Sequence, residues 1–226
     1  MTGVPRLPLR DELFLLGHND DTGRLHVHRR ALALGLAGAV LIDLFLAGRV
    51  TLDPNDATRP VPDQRLRLHS DRPVGDLIAD AAIASLRHAR PAPPLRVWLR
   101  GFAVDLYERT RAGLVTTGIL HQHRRRRLGG LVHRASYLPT HARWSVIPRA
   151  RLCYLAKGRE RPDNHTAALA GLVATLGLVT HLYLDDDTAS LTARLTAVAD
   201  QHYRPVRDIT TAVDTAVGDL ATAAYR

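Results

Sequence analysis

Residues Arg30 to Ala47 form a run that is apolar on every side of a helix. Such a helix has no face to give to water, so it belongs in the middle of a protein or in a bilayer. Asp43 argues for the protein interior, because a charge at mid-helix costs roughly 2.5 to 3.5 kcal/mol on insertion scales. Thr166 to Leu184 is a second such segment. It lacks formal charge, but its threonines, glycines and His181 dilute it, and it is barely long enough to span. Both are expected to be buried core helices. Gly35 and Gly38 lower helix propensity by about 1 kcal/mol each, a loss that a close helix crossing would justify.

The remaining pattern is also mostly helical. Asp11 to Gly17 reads as a short helix, and Asn19 to Gly23 as a turn. Alternation in Val50 to Asp53 and in Arg65 to His69 predicts two short strands, with Pro54 and Asn55 turning the chain between them. Leu77, Ile78, Ala81, Ala82 and Leu86 recur at helical spacing, predicting a helix over 74–87, with Asp71 and Asp76 as helix-entry acceptors. The stretch 89–94 breaks the chain, and a helix over 97–117 follows. Further helices are expected over 146–157, stopped by Gly158, and from Pro162-Asp163-Asn164 through Leu182. Two more cover 189–202 and 206–224, separated by Pro205. The fold class that follows is mainly α: a single compact domain over 1–226 with a central helical-bundle core of apolar helices, peripheral amphipathic helices and a β-hairpin.

That hairpin is expected where Ile119 to Leu128 and Leu131 to Leu138 flank Gly129-Gly130, the composition of a two-residue turn. One arm carries Arg124, Arg125, Arg126 and Arg127, and Leu128 and Leu131 bracket the turn. Two leucines and four arginines could supply on the order of 10 kcal/mol toward an anionic membrane before ordering costs. Packed on the domain instead, the leucines would leave a solvated basic arm.

Charge sets the classes of partner. The chain has 226 residues and a formal net charge of +9, and Lys157 is its sole lysine among 31 basic residues. Arginine skew of this kind is what a G+C-rich bacterial genome produces, so the charge, rather than the arginine count, carries the argument. A basic surface attracts polyanions, either anionic lipid or nucleic acid. Cys153 is the single cysteine, which excludes an internal disulfide or a thiolate metal cage and fits a reducing cytoplasm. The first residues lack the apolar core of a signal peptide.

No catalytic constellation emerges: there is no Gly-x-Ser-x-Gly elbow, P-loop or His-Glu-x-x-His helix. Cys153 reads as a core residue. His26 with His28, and His121 with His123, lack carboxylate or cysteine partners nearby in sequence, so no metal is expected. Asp185-Asp186-Asp187-Thr188 suits a helix N-terminus and lacks the spacing of a calcium loop. The chain is expected to be non-enzymatic, with no cofactor.

Several ordered motifs carry a resemblance. Gly35-Leu36-Ala37-Gly38 is followed by an apolar run ending Ile42-Asp43-Leu44, and later by Asp71-Arg72-Pro73-Val74-Gly75-Asp76. Glu12 to Gly17, Gly48-Arg49-Val50, Gly118-Ile119-Leu120 and an arginine-rich stretch ending at Tyr137 fall in the same order. Together, over about Leu7 to Leu182, they resemble the Golgi phosphoprotein 3 family of phosphoinositide-binding peripheral membrane proteins. The resemblance implies an adaptor or scaffold, membrane contact and self-association through the hairpin, and phosphatidylinositol 4-phosphate as the lipid. At the positions where that family grips the headgroup this chain has His28, Ala37, Val104 and Tyr107, none of them the family's residue. Arg24, Arg29 and Arg30 around His28, with Arg109 and Arg111 after Tyr107, are the residues from which an anion site is either rebuilt or absent.

Three readings remain. The first is a cytoplasmic, peripherally membrane-associated protein that reads anionic lipid. In the second, nucleic acid binds a winged-helix-like arrangement of the helix before Gly118 and the basic hairpin after it. In the third, the partner is a protein and the charge is incidental. Leucines at the hairpin tip favour lipid, since a DNA-reading wing would place polar or basic groups there.

Overall fold

The computed structural model describes residues 6–125, 134–182 and 187–224. Helix α1 is Leu9–Leu16 and α2 is Arg29–Leu46. The sequence α2 carries leaves no polar face, and the structure buries it accordingly: Leu32, Leu36, Ala37, Ala39, Leu41 and Ile42 have no exposed surface at all. Each such leucine or isoleucine is worth roughly 1.5 to 3 kcal/mol relative to exposure. The imidazole of His28 opens the helix by accepting a hydrogen bond from the backbone of Arg30.

The expected helix crossings are present. A Cβ on Gly35 would stand 2.6 Å from Leu176 Cδ1, and one on Gly38 would stand 2.6 Å from Val213 Cγ2. Leu176 follows α7 (Asn164–Thr175), and Val213 belongs to α9 (Arg204–Ala224). Helices α7 and α9 pack on α2 on that side, α8 (Thr188–His202) packs on α7 and α9, and Asp163 and Asp187 cap α7 and α8 by accepting from Thr166 N and Ser190 N. No helix among the described residues is long and apolar enough to cross a membrane.

Strands β1 (Val50–Leu52) and β2 (Leu66–Leu68) pair antiparallel with Val50 opposite Leu68. Two short 3₁₀ turns, Pro54–Asp56 and Val61–Asp63, lie between them, more than the single turn expected. Helix α3 is Leu77–His88, and it starts three residues later than the pattern predicts. The Asp76 carboxylate accepts from Ile78 N at 3.0 Å and Ala79 N at 2.8 Å, so the cap sets the start.

Other boundaries also differ from expectation. The helix predicted over 97–117 is two helices, α4 (Leu95–Phe102) and α5 (Leu106–Thr116). The ladder tightens between them, with Leu106 N bonding back only to Ala103 O. The break holds the Trp98 indole on Ser85 of α3 and Tyr107 on His18 at the same time. The long helix expected to run through Leu182 stops at Thr175. Gly177 adopts φ +67°, which ends a right-handed helix, and 178–182 continues as a 3₁₀ turn. Helix α6 (Arg143–Ala156) begins before the predicted Val146 and holds Pro148 in its interior. Tyr203, extended at φ −147°, separates α8 from α9, and Pro205 sits in the first turn of α9, where a proline is tolerated.

Strands β3 (Leu120–Arg125) and β4 (Arg134–Pro139) form the predicted antiparallel pair, from Leu120 opposite Pro139 to Arg125 opposite Arg134. The tip, with Arg126, Arg127, Leu128, Gly129, Gly130 and Leu131, lies outside the described residues, as do the side chains of Arg124 and Arg125.

Candidate functional site

Helix α5 presents Tyr107 and Arg111 one turn apart toward the first turn of α2. The Arg29 guanidinium lies 4.7 Å from the centre of the Tyr107 ring, and that of Arg111 lies 6.0 Å from it. Arg111 also stacks at 4.3 Å on Tyr137, which β4 delivers. Both arginines pair with the carboxylate of Glu108. Cations over aromatic faces gain about 0.5 to 2 kcal/mol, and planar guanidinium suits this stacking better than lysine would.

Behind this surface the Tyr107 hydroxyl reaches His18, 2.9 Å from Nε2, while His18 Nδ1 stands 2.7 Å from Phe14 O. A carbonyl oxygen only accepts, so Nδ1 carries the proton and Nε2 accepts from the tyrosine. Burial lowers the His18 pKa to about 4, keeping the ring neutral. Burial likewise raises the Tyr107 pKa. The ring therefore stays a neutral platform, held from behind by its hydroxyl while its face carries two cations.

The seven residues nominated from sequence separate here. His28, Arg29 and Arg30 occupy the start of α2, and Arg29 meets Tyr107 and Arg111. Arg24 and Arg30 are exposed and have no carboxylate partner among the described residues. Arg109 points elsewhere, its guanidinium 5.8 Å from the Phe102 ring. Ala37 has no exposed surface, and Val104 is 76% exposed in the break before α5. Sequence reading missed Glu108, which ties the two arginines together. Its three-residue spacing from Arg111 was the available signal, but its contact with Arg29 is tertiary.

A second polar centre holds α1. Arg10 donates to both oxygens of Asp76 at 2.8 and 2.7 Å, and its Nε lies 3.2 Å from Asp11. Glu12 pairs with Arg151 of α6 and, at 3.1 Å, with His165 of α7. Asp43 Oδ2 accepts from Leu9 N at 3.0 Å, joining the start of α1 to the end of α2. Burial raises Asp11 to about 6 and raises Asp43 as well, whereas the Arg10 bonds and the cap bonds outweigh burial and lower Asp76. Asp43 and Asp76, the acids of the two sequence motifs, thus fix helix ends.

Beside that centre lies a cleft of about 340 Å³ that sequence reading did not anticipate. Leu7 and Arg6 form one wall, and Arg143, Trp144, Ile147 and Pro148 of α6 form another.

Comparison with known proteins bears on this arrangement. The family model described as Golgi phosphoprotein 3 (GPP34) matches residues 9–223. The Vacuolar protein sorting-associated protein 74 of Schizosaccharomyces pombe is 26% identical over 136 residues, 54% of this chain. That match spans 40% of the yeast protein's length. With the motif helices, the hairpin and the aromatic platform arranged in one fold and the family model running through all of them, the chain belongs to the Golgi phosphoprotein 3 family.

Proposed function

We propose that this protein is a non-enzymatic, peripheral membrane adaptor of the cytoplasm that binds anionic lipid, with a phosphoinositide monophosphate as the preferred headgroup. The observation that carries the reading is the platform on which Arg29 and Arg111 flank Tyr107, with Arg24 and Arg30 in the adjoining loop and first turn exposed and without a carboxylate partner among the described residues. A phosphate monoester is held by charge-assisted donors, and these four arginines are the donors available. They replace the positions at which Ala37 and Val104 offer none. Glu108 holds the two inner guanidinia in place and competes with the ligand for them, so a dianionic phosphate is favoured over a singly charged diester. The basic β3–β4 hairpin is the second contact, through Arg124 to Arg127 and the leucines Leu128 and Leu131, and it is also the surface for self-association or a protein partner.

Co-sedimentation with neutral, anionic and phosphatidylinositol 4-phosphate liposomes, at low and near-physiological salt, tests this. Preference for the phosphoinositide over charge-matched liposomes, lost in Arg29→Ala with Arg111→Ala, is the expected result. Binding that follows charge alone reduces the activity to electrostatic attachment, and no pelleting at either salt removes it. Substituting Leu128 and Leu131 by Ser separates lipid from nucleic acid. Lipid binding falls sharply, whereas binding that rests on phosphate contacts survives.

A further inference from the structure

We infer that the cleft beside α6 is a second, separate binding site, for a single acyl chain that ends in an oxyanion. Arg143, Ile147 and Arg151 recur every four residues along α6, with Trp144 and Pro148 next to them, so one stripe has two cationic ends about 12 Å apart and an apolar middle. Leu7 closes the apolar middle from the facing wall. Two of the three guanidinium groups here are already committed: Arg6 to Asp163 and Thr166, and Arg151 to Glu12. Arg143 is not. It stacks 4.6 Å from the Trp144 ring and has no carboxylate partner among the described residues. The lining thus holds three arginines against two carboxylates, Glu12 and Asp163. In addition, Arg151 Nε is buried without a hydrogen-bond partner.

Charge complementarity therefore calls for an anion, and the wall calls for an aliphatic tail. Ile147, 40% exposed, and the half-buried Trp144 form a surface that gains from being covered, with Pro148 buried beneath it. A volume of about 340 Å³ falls at the small end of ligand sites. The cleft is distinct from the headgroup platform. His165, which bonds Glu12, lies 4.0 Å from Asp43 near the end of α2, while Arg29 begins that helix. Fourteen residues of helix put about 21 Å between Arg29 and Asp43.

The test is calorimetric titration of the full chain with decanoate and with decyl phosphate, both kept below micelle-forming concentrations, and with decanol as the uncharged control. Trp144 emission is followed in parallel in a Trp98→Phe background. Saturable binding of at least one oxyanion, with tenfold or greater weakening for decanol and for Arg143→Gln, is expected; the stronger of the two ligands identifies the head as carboxylate or phosphate. Absence of saturation with both oxyanions, equal affinity for decanol, or an unchanged affinity in Arg143→Gln overturns the assignment.

Discussion

Tyr107 is placed so that its two ends do different things. Its hydroxyl satisfies a buried His18 nitrogen, and its ring face carries Arg29 and Arg111. Tyr107→Phe keeps the face and deletes the donor, leaving His18 Nε2 unpaired where water is excluded. Such a group costs about 1 to 3 kcal/mol, so the denaturant midpoint should fall while phosphoinositide binding holds to within about twofold. The reverse pattern, intact stability with lost binding, would place the hydroxyl at the ligand. Glu108 gives a prediction of opposite sign. Glu108→Gln keeps the shape and removes the charge competing for two guanidinia, so phosphoinositide liposomes should pellet the variant more tightly than the parent. Weaker pelleting would mean that Glu108 serves mainly to orient the arginines. At this scale sequence named two stretches that the fold brings together, His28 to Arg30 and Tyr107 to Arg111, because the resemblance fixes positions along the chain. It did not separate Arg111, which meets Tyr137 across the fold, from Arg109, which turns to Phe102.

At the scale of elements, the glycines of α2 show how a local loss is offset by packing. Alanine at either position restores about 1 kcal/mol of helix propensity, but the new Cβ meets different neighbours. At Gly35 it meets the flexible end of Leu176, which can turn aside, with Leu13 Cδ2 at 3.3 Å beside it. At Gly38 it meets a methyl of Val213, a β-branched side chain with no exposed surface and little rotamer freedom. Overpacking of this kind costs about 1 to 3 kcal/mol. Gly38→Ala should therefore lower the melting temperature, whereas Gly35→Ala should leave it nearly unchanged. Equal effects would show that the α2–α9 crossing can spread. The crossings were legible in the sequence because a central apolar helix has no other reason to tolerate two glycines. The breaks at 103–105 and at Gly177 were not, since Leu99, Ala103, Leu106 and Leu114 keep helical spacing straight through the first. Two tertiary bonds, Trp98 to Ser85 and Tyr107 to His18, flank that break, and neither is visible in the local spacing.

Across the whole molecule, the fold class was readable from two apolar helices that had to be interior, while the polar centre around α1 was not. Its members, Arg10, Glu12, Asp43, Asp76, Arg151 and His165, are scattered over most of the chain, and no spacing rule joins them. That scatter has a consequence for acid stability. His18 titrates near 4 in the folded chain against an ordinary 6.5, so the stabilisation it gives is complete above 6.5 and is lost as pH falls toward 4. Asp11 titrates near 6 against an ordinary 3.8, so its contribution is complete below 3.8 and is lost as pH rises through 6. Each shift corresponds to about 3 kcal/mol, and between pH 4 and 6 the two slopes have opposite sign. The groups that perturb Asp11 and those that perturb His18 are different, so their effects should add. These two groups therefore offset each other in the parent over this window. Asp11→Asn leaves the His18 slope alone and should destabilise the chain progressively as pH drops from 6.5 to 4. His18→Gln leaves the Asp11 slope alone and should gain stability over the same acidification. Urea midpoints measured at half-unit steps for the three proteins decide it: variant curves that diverge on either side of the parent support opposed titrations, and curves that run parallel to it show that neither group governs the acid limb.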